Sequence, residues 1–307
     1  MNRSNTIILF FALFLASAVG CLGTAEKTSQ DFKPKKTNQI FAVSYPLQFM
    51  AQEIVGSQVQ VTNAAATSGD PKKSRPSREL ISQMQAADLI IANGTGATYA
   101  NWLATVSLPD SKILNTASKS LTLKDYIAIE NKQIVHSHGP EGEHSHPVMA
   151  SRTWLDPRLA KKQSAFIAKR LEEIYPELSS DIEINLKSLT ERLAKVESEV
   201  NELKSNELVV LTFDEKFKFF NRAVGAQDKT VEYDLAKIEK FKDDINALKP
   251  DLAVITQGKL TDELRAALDS LQIPVAELEP LDAMPDAGDY ISVMQENCRR
   301  FQQAANQ

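Results

Sequence analysis

Between residues 40 and 117 the chain alternates short β-rich runs with helical patterns, and this alternation narrows its fold more than any other feature. The runs are "IFAVSY" (40–45), "VQVTNAA" (59–65), "DLIIANG" (88–94) and "KILNTA" (112–117). Helical spacing of apolar residues marks "PLQFMAQEIVG" and "PSRELISQMQAA" between them. Strand and helix in turn require a parallel sheet covered on both faces, because each crossover lays a helix against the sheet. The pattern resumes with "ELVVLTF" (207–213), "DLAVITQ" (251–257) and "IPVAELE" (273–279), interleaved with helical segments and closed by a helix from about Gly288. The expected class is therefore α/β, with two parallel-sheet lobes.

Between the lobes lies a different pattern. Ile182, Leu186, Leu189, Leu193, Val196, Val200 and Leu203 step by four and three, which keeps one apolar stripe on one side of a helix over 179–205. Such a helix is about 40 Å long at 1.5 Å per residue. The spacing alone also suits a coiled coil; flanked by two α/β units, it reads better as a rigid linker packed across both lobes. "FKFF" (217–220) reads as a buried helix face, and Trp102 and Trp154 as packing residues near the cleft rim.

A hydrophobic content of 43% supports sizeable cores. The net charge of −5, with no basic stripe, argues against nucleic acid as a partner. Membrane attachment is expected from the first twenty-one residues: Arg3, an apolar run too short to span a bilayer, then "AVGC". Small residues directly before Cys21 resemble the bacterial lipobox, which marks Cys21 for lipidation and the product for export to the periplasm or cell surface. Cys298 would then have no partner for an intramolecular disulfide. The divisions are a leader, 1–21; a polar tether, 22–38; an N-terminal lobe, 39–150; a helical segment, 151–206, including the linker helix; and a C-terminal lobe, 207–307.

Several landmarks, in order, resemble the zinc and manganese ABC-importer solute-binding proteins. They are D-P-x-x-x-x-P-S from Asp70, N-G-x-G from Asn93 ahead of Trp102 and Leu103, W-L-D-P from Trp154, and "VVLTFDEKFKFFNRAVG" in the C-terminal lobe. The resemblance spans nearly all of 38–305. It implies two α/β lobes joined by a long helix, a single metal in the cleft, a permease partner and a monomeric binding protein. Many zinc-specific members also carry a histidine-rich acidic loop just before W-L-D-P.

All four histidines of this chain, His136, His138, His144 and His146, fall within "HSHGPEGEHSH". Two H-x-H pairs with Glu141 and Glu143 suit loose zinc binding, and the glycines and prolines in and after the run suggest a mobile loop that captures rather than encloses. The plain alternative is a solvated loop whose histidines do nothing.

The cleft departs from the family. Where the resemblance places metal ligands, this chain has Lys72, Arg152, Asp214 and Glu279. Two carboxylates are compatible with a metal; two fixed cations are not. A divalent ion about 4 Å from one ammonium is repelled by roughly 8 kcal/mol at an effective dielectric of 20, and arginine offers no lone pair. No tightly held cleft metal is expected. Three readings stay open: a metal-importer component with a diverged cleft, a cleft for a zwitterionic or anionic molecule, and a partner-binding module that transports nothing, its cleft closed by its own salt bridges, Lys72 and Arg152 facing Asp214 and Glu279. Catalysis has little support, since Asp214 with Glu215, and Ser74 near Lys72, lack a histidine base or a nucleophile elbow.

If Cys21 is the lipidation site, the mature protein begins there and partitions with membranes. Cys21→Ser leaves it soluble or unprocessed; an unmodified N-terminus elsewhere by intact mass would remove the anchor.

Overall fold

A computed structural model describes residues 36–64, 76–94, 103, 106–137, 143–233 and 238–307, with the backbone alone over 130–137 and 143–147. Residues 36–307 form one unit. The N-terminal lobe carries a four-stranded parallel sheet in the order β2-β1-β3-β4, from β1 (Gln39–Ala42), β2 (Gln60–Asn63), β3 (Leu89–Ala92) and β4 (Ile113–Asn115). A second sheet, ordered β10-β9-β7-β8, uses β7 (Val209–Thr212), β8 (Gln227–Thr230), β9 (Leu252–Thr256) and β10 (Val275–Leu278).

The period of two in the central strands explains the layering. Ile40 and Ala42 face a large shared core, whereas Phe41 and Val43 face a smaller outer one. In β9, Leu252 and Val254 go inward while Ala253 and Ile255 go outward. Strands buried on both faces must read as near-continuous apolar runs, which is why they were legible.

The shared core runs through both lobes. Inner residues of each sheet join α1 (Tyr45–Val55), α4 (Pro157–Ile174), α5 (Ser179–Glu202), α6 (Lys218–Ala223) and α9 (Tyr290–Ala305) in one cluster. The predicted linker helix is α5. Its stripe residues Ile182, Leu189, Leu193, Val196 and Val200 are buried, and it packs on α1 and α4 from the N-terminal side and α9 from the C-terminal side. The stripe is a three-way core seam and not a coiled-coil seam. Phe219 and Phe220 are buried, as "FKFF" suggested, and Trp154 is buried too.

Two elements differ from expectation. Of residues 136–146, read as a mobile loop, 138–142 lie outside the described residues, and 136–137 and 143–146 belong to paired antiparallel strands, β5 (Ala128–Ser137) and β6 (Glu143–Met149). Polar residues dominate "AIENKQIVHS" and mask a strand that gains its stability from cross-strand pairing. The edge strand β8, "QDKT", has no apolar residue to announce it and forms by pairing with β7. Helices α2 (Arg78–Ala86), α7 (Ile238–Leu248) and α8 (Asp262–Ser270) lie in the crossovers, and the short α3 (Thr116–Ser120) follows β4. Among the described residues, no helix is long and apolar enough to cross a membrane.

Candidate functional site

In both sheets the chain runs outward from a central strand, then crosses back to build the other side. Crevices form outside the carboxyl ends of strands at such a reversal. In the N-terminal sheet the reversal lies at β1 and β3, in the C-terminal sheet at β7 and β9. Residues that follow these strands accordingly line the space between the lobes.

On the N-terminal side a buried polar network fixes segment 151–153. Asn93, just after β3, donates from Nδ2 to the Ser151 carbonyl at 2.6 Å. Gln163 on α4 donates to Asn93 Oδ1 at 2.8 Å and to Thr116 Oγ1 at 2.7 Å. The Thr153 hydroxyl lies 2.9 Å from Asn93 Oδ1 and 2.8 Å from Gln163 Oε1, and donates to one at a time. Asn93, Thr116, Thr153 and Gln163 are all buried, so each bond is costly to leave unmade. Gly94 follows at φ +76°, and a Cβ there would meet Asn115 Cβ at 2.8 Å. The turn that carries Asn93 therefore requires glycine.

The network holds Arg152, which is 8% exposed, toward the C-terminal lobe. Its guanidinium makes a two-pronged bond to Asp282: Nε to Oδ1 at 2.6 Å and Nη2 to Oδ2 at 2.7 Å. Two residues on, Trp154 Nε1 donates to the Pro280 carbonyl at 3.0 Å. The Tyr290 hydroxyl on α9 in turn donates to the Trp154 carbonyl. Contacts 152 to 282 and 154 to 280 thus clip the lobes together at successive positions. Leu281, between the two C-terminal anchors, is buried at φ +59°, an unfavourable conformation for a branched side chain. Local strain of this kind persists only where surrounding contacts over-determine it.

The structure brings together only part of the expected set. Arg152 meets a carboxylate across the cleft, but that carboxylate is Asp282 and not Asp214 or Glu279. Asp214 is satisfied within its own loop, its Oδ1 accepting from Lys216 N–H at 2.9 Å and its Oδ2 lying 3.1 Å from Lys216 Nζ. Lys216 also donates to Thr256 Oγ1 at 3.1 Å, bridging the ends of β7 and β9. Glu279 accepts from Leu281 N–H at 3.2 Å, while Asn297 of α9 holds its backbone. Burial raises the pKa of Glu279; the Leu281 N–H pulls it down, and the charge of Asp282 adds to the rise. Lys72, His138 and Cys21 lie outside the described residues. For the other histidines the backbone register is described: His136 stands opposite His144, and His146 opposite Ile134.

Asp282 and Lys216 were missed from sequence. Asp282 sits three residues past Glu279 in "ELEPLDAMPD", and only the turn through Leu281 reveals which acid reaches the cleft. Among the described residues, no three His, Cys, Asp or Glu side chains come together as a metal would need. Beside the Arg152 clip is a cavity of about 790 Å³, walled by residues 148–152 on one side and 213–216 and 228–232 on the other. Lys218 in its wall is 2.8 Å from Asp228 and 3.1 Å from Glu215.

The family model for the periplasmic zinc-uptake complex component A matches residues 40–304. The chain belongs to this family. Among curated relatives, the manganese ABC transporter substrate-binding lipoprotein PsaA of Streptococcus anginosus is 26% identical over 233 residues, 73% of this chain and 70% of the relative. The iron ABC transporter substrate-binding lipoprotein MtsA of Streptococcus pyogenes serotype M1 is 25% identical over 269 residues, 85% and 81%. The Zn(II)-bound ZnuA-like domain of Streptococcus pneumoniae AdcA shares the fold at a TM-score of 0.68 and 18% identity, covering 88% of this chain and 99% of that one. FpvC of Pseudomonas aeruginosa, in complex with Mn²⁺, does so at 0.68 and 16%, covering 87% and 98%. The ZnuA-family chain is thus a substrate-binding component of the metal ABC-importer type; its relatives are not enzymes.

The Arg152–Asp282 pair is only partly shielded, with side chains 10% and 30% exposed. Arg152→Ala should cost about 2–4 kcal/mol, between the worth of exposed and fully buried pairs. Arg152→Lys should recover little, because an ammonium cannot reproduce the fork. Urea unfolding of Arg152→Ala, Asp282→Asn and the double variant measures the coupling, and simply additive costs would show that no pair forms.

Glu279 gives a pH test. Its folded pKa lies above the unfolded value of about 4.5, so the ionised form opposes folding. That penalty is absent below the unfolded value, grows as pH rises through the folded one, and is complete above it. Glu279→Gln should therefore melt higher than wild type at pH 7.5, with the difference closing as pH falls toward 4.5. A difference independent of pH would rule out this origin.

Proposed function

We propose that this chain is the exported, lipid-anchored substrate-binding component of a zinc-type ABC importer in which an internal ion pair stands where the family holds its cargo. The observation that carries the proposal is the two-pronged Arg152–Asp282 bond between the lobes. A cation fixed at that point repels an incoming divalent ion and already satisfies the carboxylate the ion would need. The relatives, named for manganese, iron and zinc, leave the metal open; the four histidines in a borderline-soft donor run favour zinc. We assign its capture to His136, His138, His144 and His146, as a loose site on the hairpin. Register supports this, since His136 and His144 stand opposite one another across the two strands. Cys21 supplies the membrane anchor, an ABC permease is the partner, and the binding protein acts as a monomer.

A second reading has its own support. The cavity of about 790 Å³ beside the clip far exceeds what a bare ion needs, and its walls mix apolar Phe213, Val148 and Leu248 with charged Lys216 and Glu215. A zwitterionic or anionic organic molecule suits such walls better than a metal.

Zinc titration of purified mature protein distinguishes these. Weak binding is expected, lost on deletion of 136–146 with little change in melting temperature, and fading as pH falls through about 6.5 because protonated imidazole is no ligand. Tight stoichiometric zinc surviving the deletion would place the metal in the cleft and sink the proposal. Conversely, Lys72→His, Arg152→His and Asp214→His together should create zinc affinity. Native mass spectrometry showing a bound organic molecule would favour the second reading.

A further inference from the structure

Away from the cleft, a pocket of about 320 Å³ forms where the lobes and the linker helix converge. Lys124 comes from the turn before β5, Arg158 from the first turn of α4, Lys204 from just beyond α5, and Arg222 from α6. Two carboxylates, Asp156 and Glu197, also line it, but both are engaged. Asp156 caps α4 through Arg158 N–H at 3.0 Å and accepts from Arg158 Nη2 at 3.0 Å; Glu197 pairs with Lys161.

Of the four cations lining the pocket, Arg158 and Arg222 share the single carboxylate of Asp156, so positive charge is in excess there, in a chain of net charge −5. Lys124 and Lys204 are exposed, and neither ammonium has a protein partner among the described residues. Arg222 is the more telling. Its Nη1 donates to the Asp125 carbonyl at 2.9 Å, and the guanidinium lies over the Phe219 ring at 4.9 Å. Its Nε and Nη2 are shielded from solvent and make no hydrogen bond; the carboxylate facing Nη2, Asp156, stays 3.6 Å away. Burial accordingly lowers the Arg222 pKa, with Arg158 adding to the effect and Asp156 opposing it. Arg222 is thus a half-buried cation whose one facing carboxylate is held more closely by Arg158, which leaves its charge only partly compensated.

We propose that this pocket, lined by Lys124, Arg158, Lys204 and Arg222, binds a phosphate-class oxyanion. The two ammoniums would contact the oxyanion, and its charge would compensate Arg158 and Arg222, which share Asp156 behind them. The volume admits an oxyanion carrying a substituent, so the chemistry suits free phosphate or the phosphate of a lipid headgroup. The site is separate from the cleft, and its test does not depend on which cargo the cleft or hairpin takes.

The experiment uses mature-length chain, residues 21–307, carrying Cys21→Ser, melted in inorganic phosphate against chloride at matched ionic strength. Phosphate should raise the melting temperature saturably. Lys124→Gln with Lys204→Gln should weaken the apparent affinity at least ten-fold, while leaving the melt in chloride unchanged; Lys124→Arg with Lys204→Arg should retain it. Sedimentation with phosphatidylglycerol or phosphatidylcholine vesicles identifies the source. Depletion by phosphatidylglycerol alone, lost in the glutamine variant, assigns the headgroup; phosphate binding without vesicle binding assigns the free oxyanion. No phosphate effect together with no vesicle binding, or equal affinity in wild type and the glutamine variant, would overturn the proposal.

Discussion

One continuous apolar core, running from the inner face of one sheet through α1, α4, α5 and α9 to the inner face of the other, is the constraint on which everything else rests. The lobes have separate outer cores but no separate inner ones. Burial of the α5 stripe against both sides means that a wide separation would expose apolar surface at about 25 cal/mol per Å². The carboxyl ends of the two sheets consequently meet at close quarters, and side chains after β3, β7, β9 and β10 must be mutually compatible in charge.

That compatibility is reached through the backbone as much as through charge. Arg152 reaches Asp282 because Asn93, Thr153 and Gln163 hold its segment from below, and because Trp154 and Pro280 are joined two positions away. The unfavourable φ of Leu281 belongs to the same arrangement: it turns the chain so that Asp282 faces the arginine while Glu279 stays back against α9. Removing either charge alone would leave the other in a partly shielded place shaped for a partner, which is why the pair acts as a unit.

Much of the fold could be read from the chain because strands buried on both faces and a 24-residue amphipathic helix leave strong periodic signals. β5, β6 and β8 left none, since their stability comes from pairing that local sequence does not encode. The site was legible in kind more than in partner. Arg152 stood out as a cation where the resemblance places a ligand, and the need for a carboxylate followed. Which carboxylate depended on a three-residue turn through Leu281, and a turn of unfavourable φ at a leucine is invisible to propensity. Asp214 looked available from sequence, yet Lys216, two residues on, takes up both its oxygens. Short-range pairing of this sort defeats any assignment made by counting charges along the chain.

The internal pair also changes what lobe closure can report. A ligand shifts a conformational equilibrium only through its differential affinity for the two states. When cargo bridges the lobes, closure and occupancy are coupled, and closure is the signal that cargo is present. A protein-internal bridge contributes to closure without cargo. If charge-assisted hydrogen bonds between Arg152 and Asp282 contribute about 1.5–3 kcal/mol, they bias the lobes toward closure by roughly 10- to 150-fold. Cargo entering the neighbouring cavity would add to an equilibrium already displaced, and its effect on closure would shrink accordingly. On the reading proposed above, closure would therefore report less on occupancy than it does where cargo alone bridges the lobes.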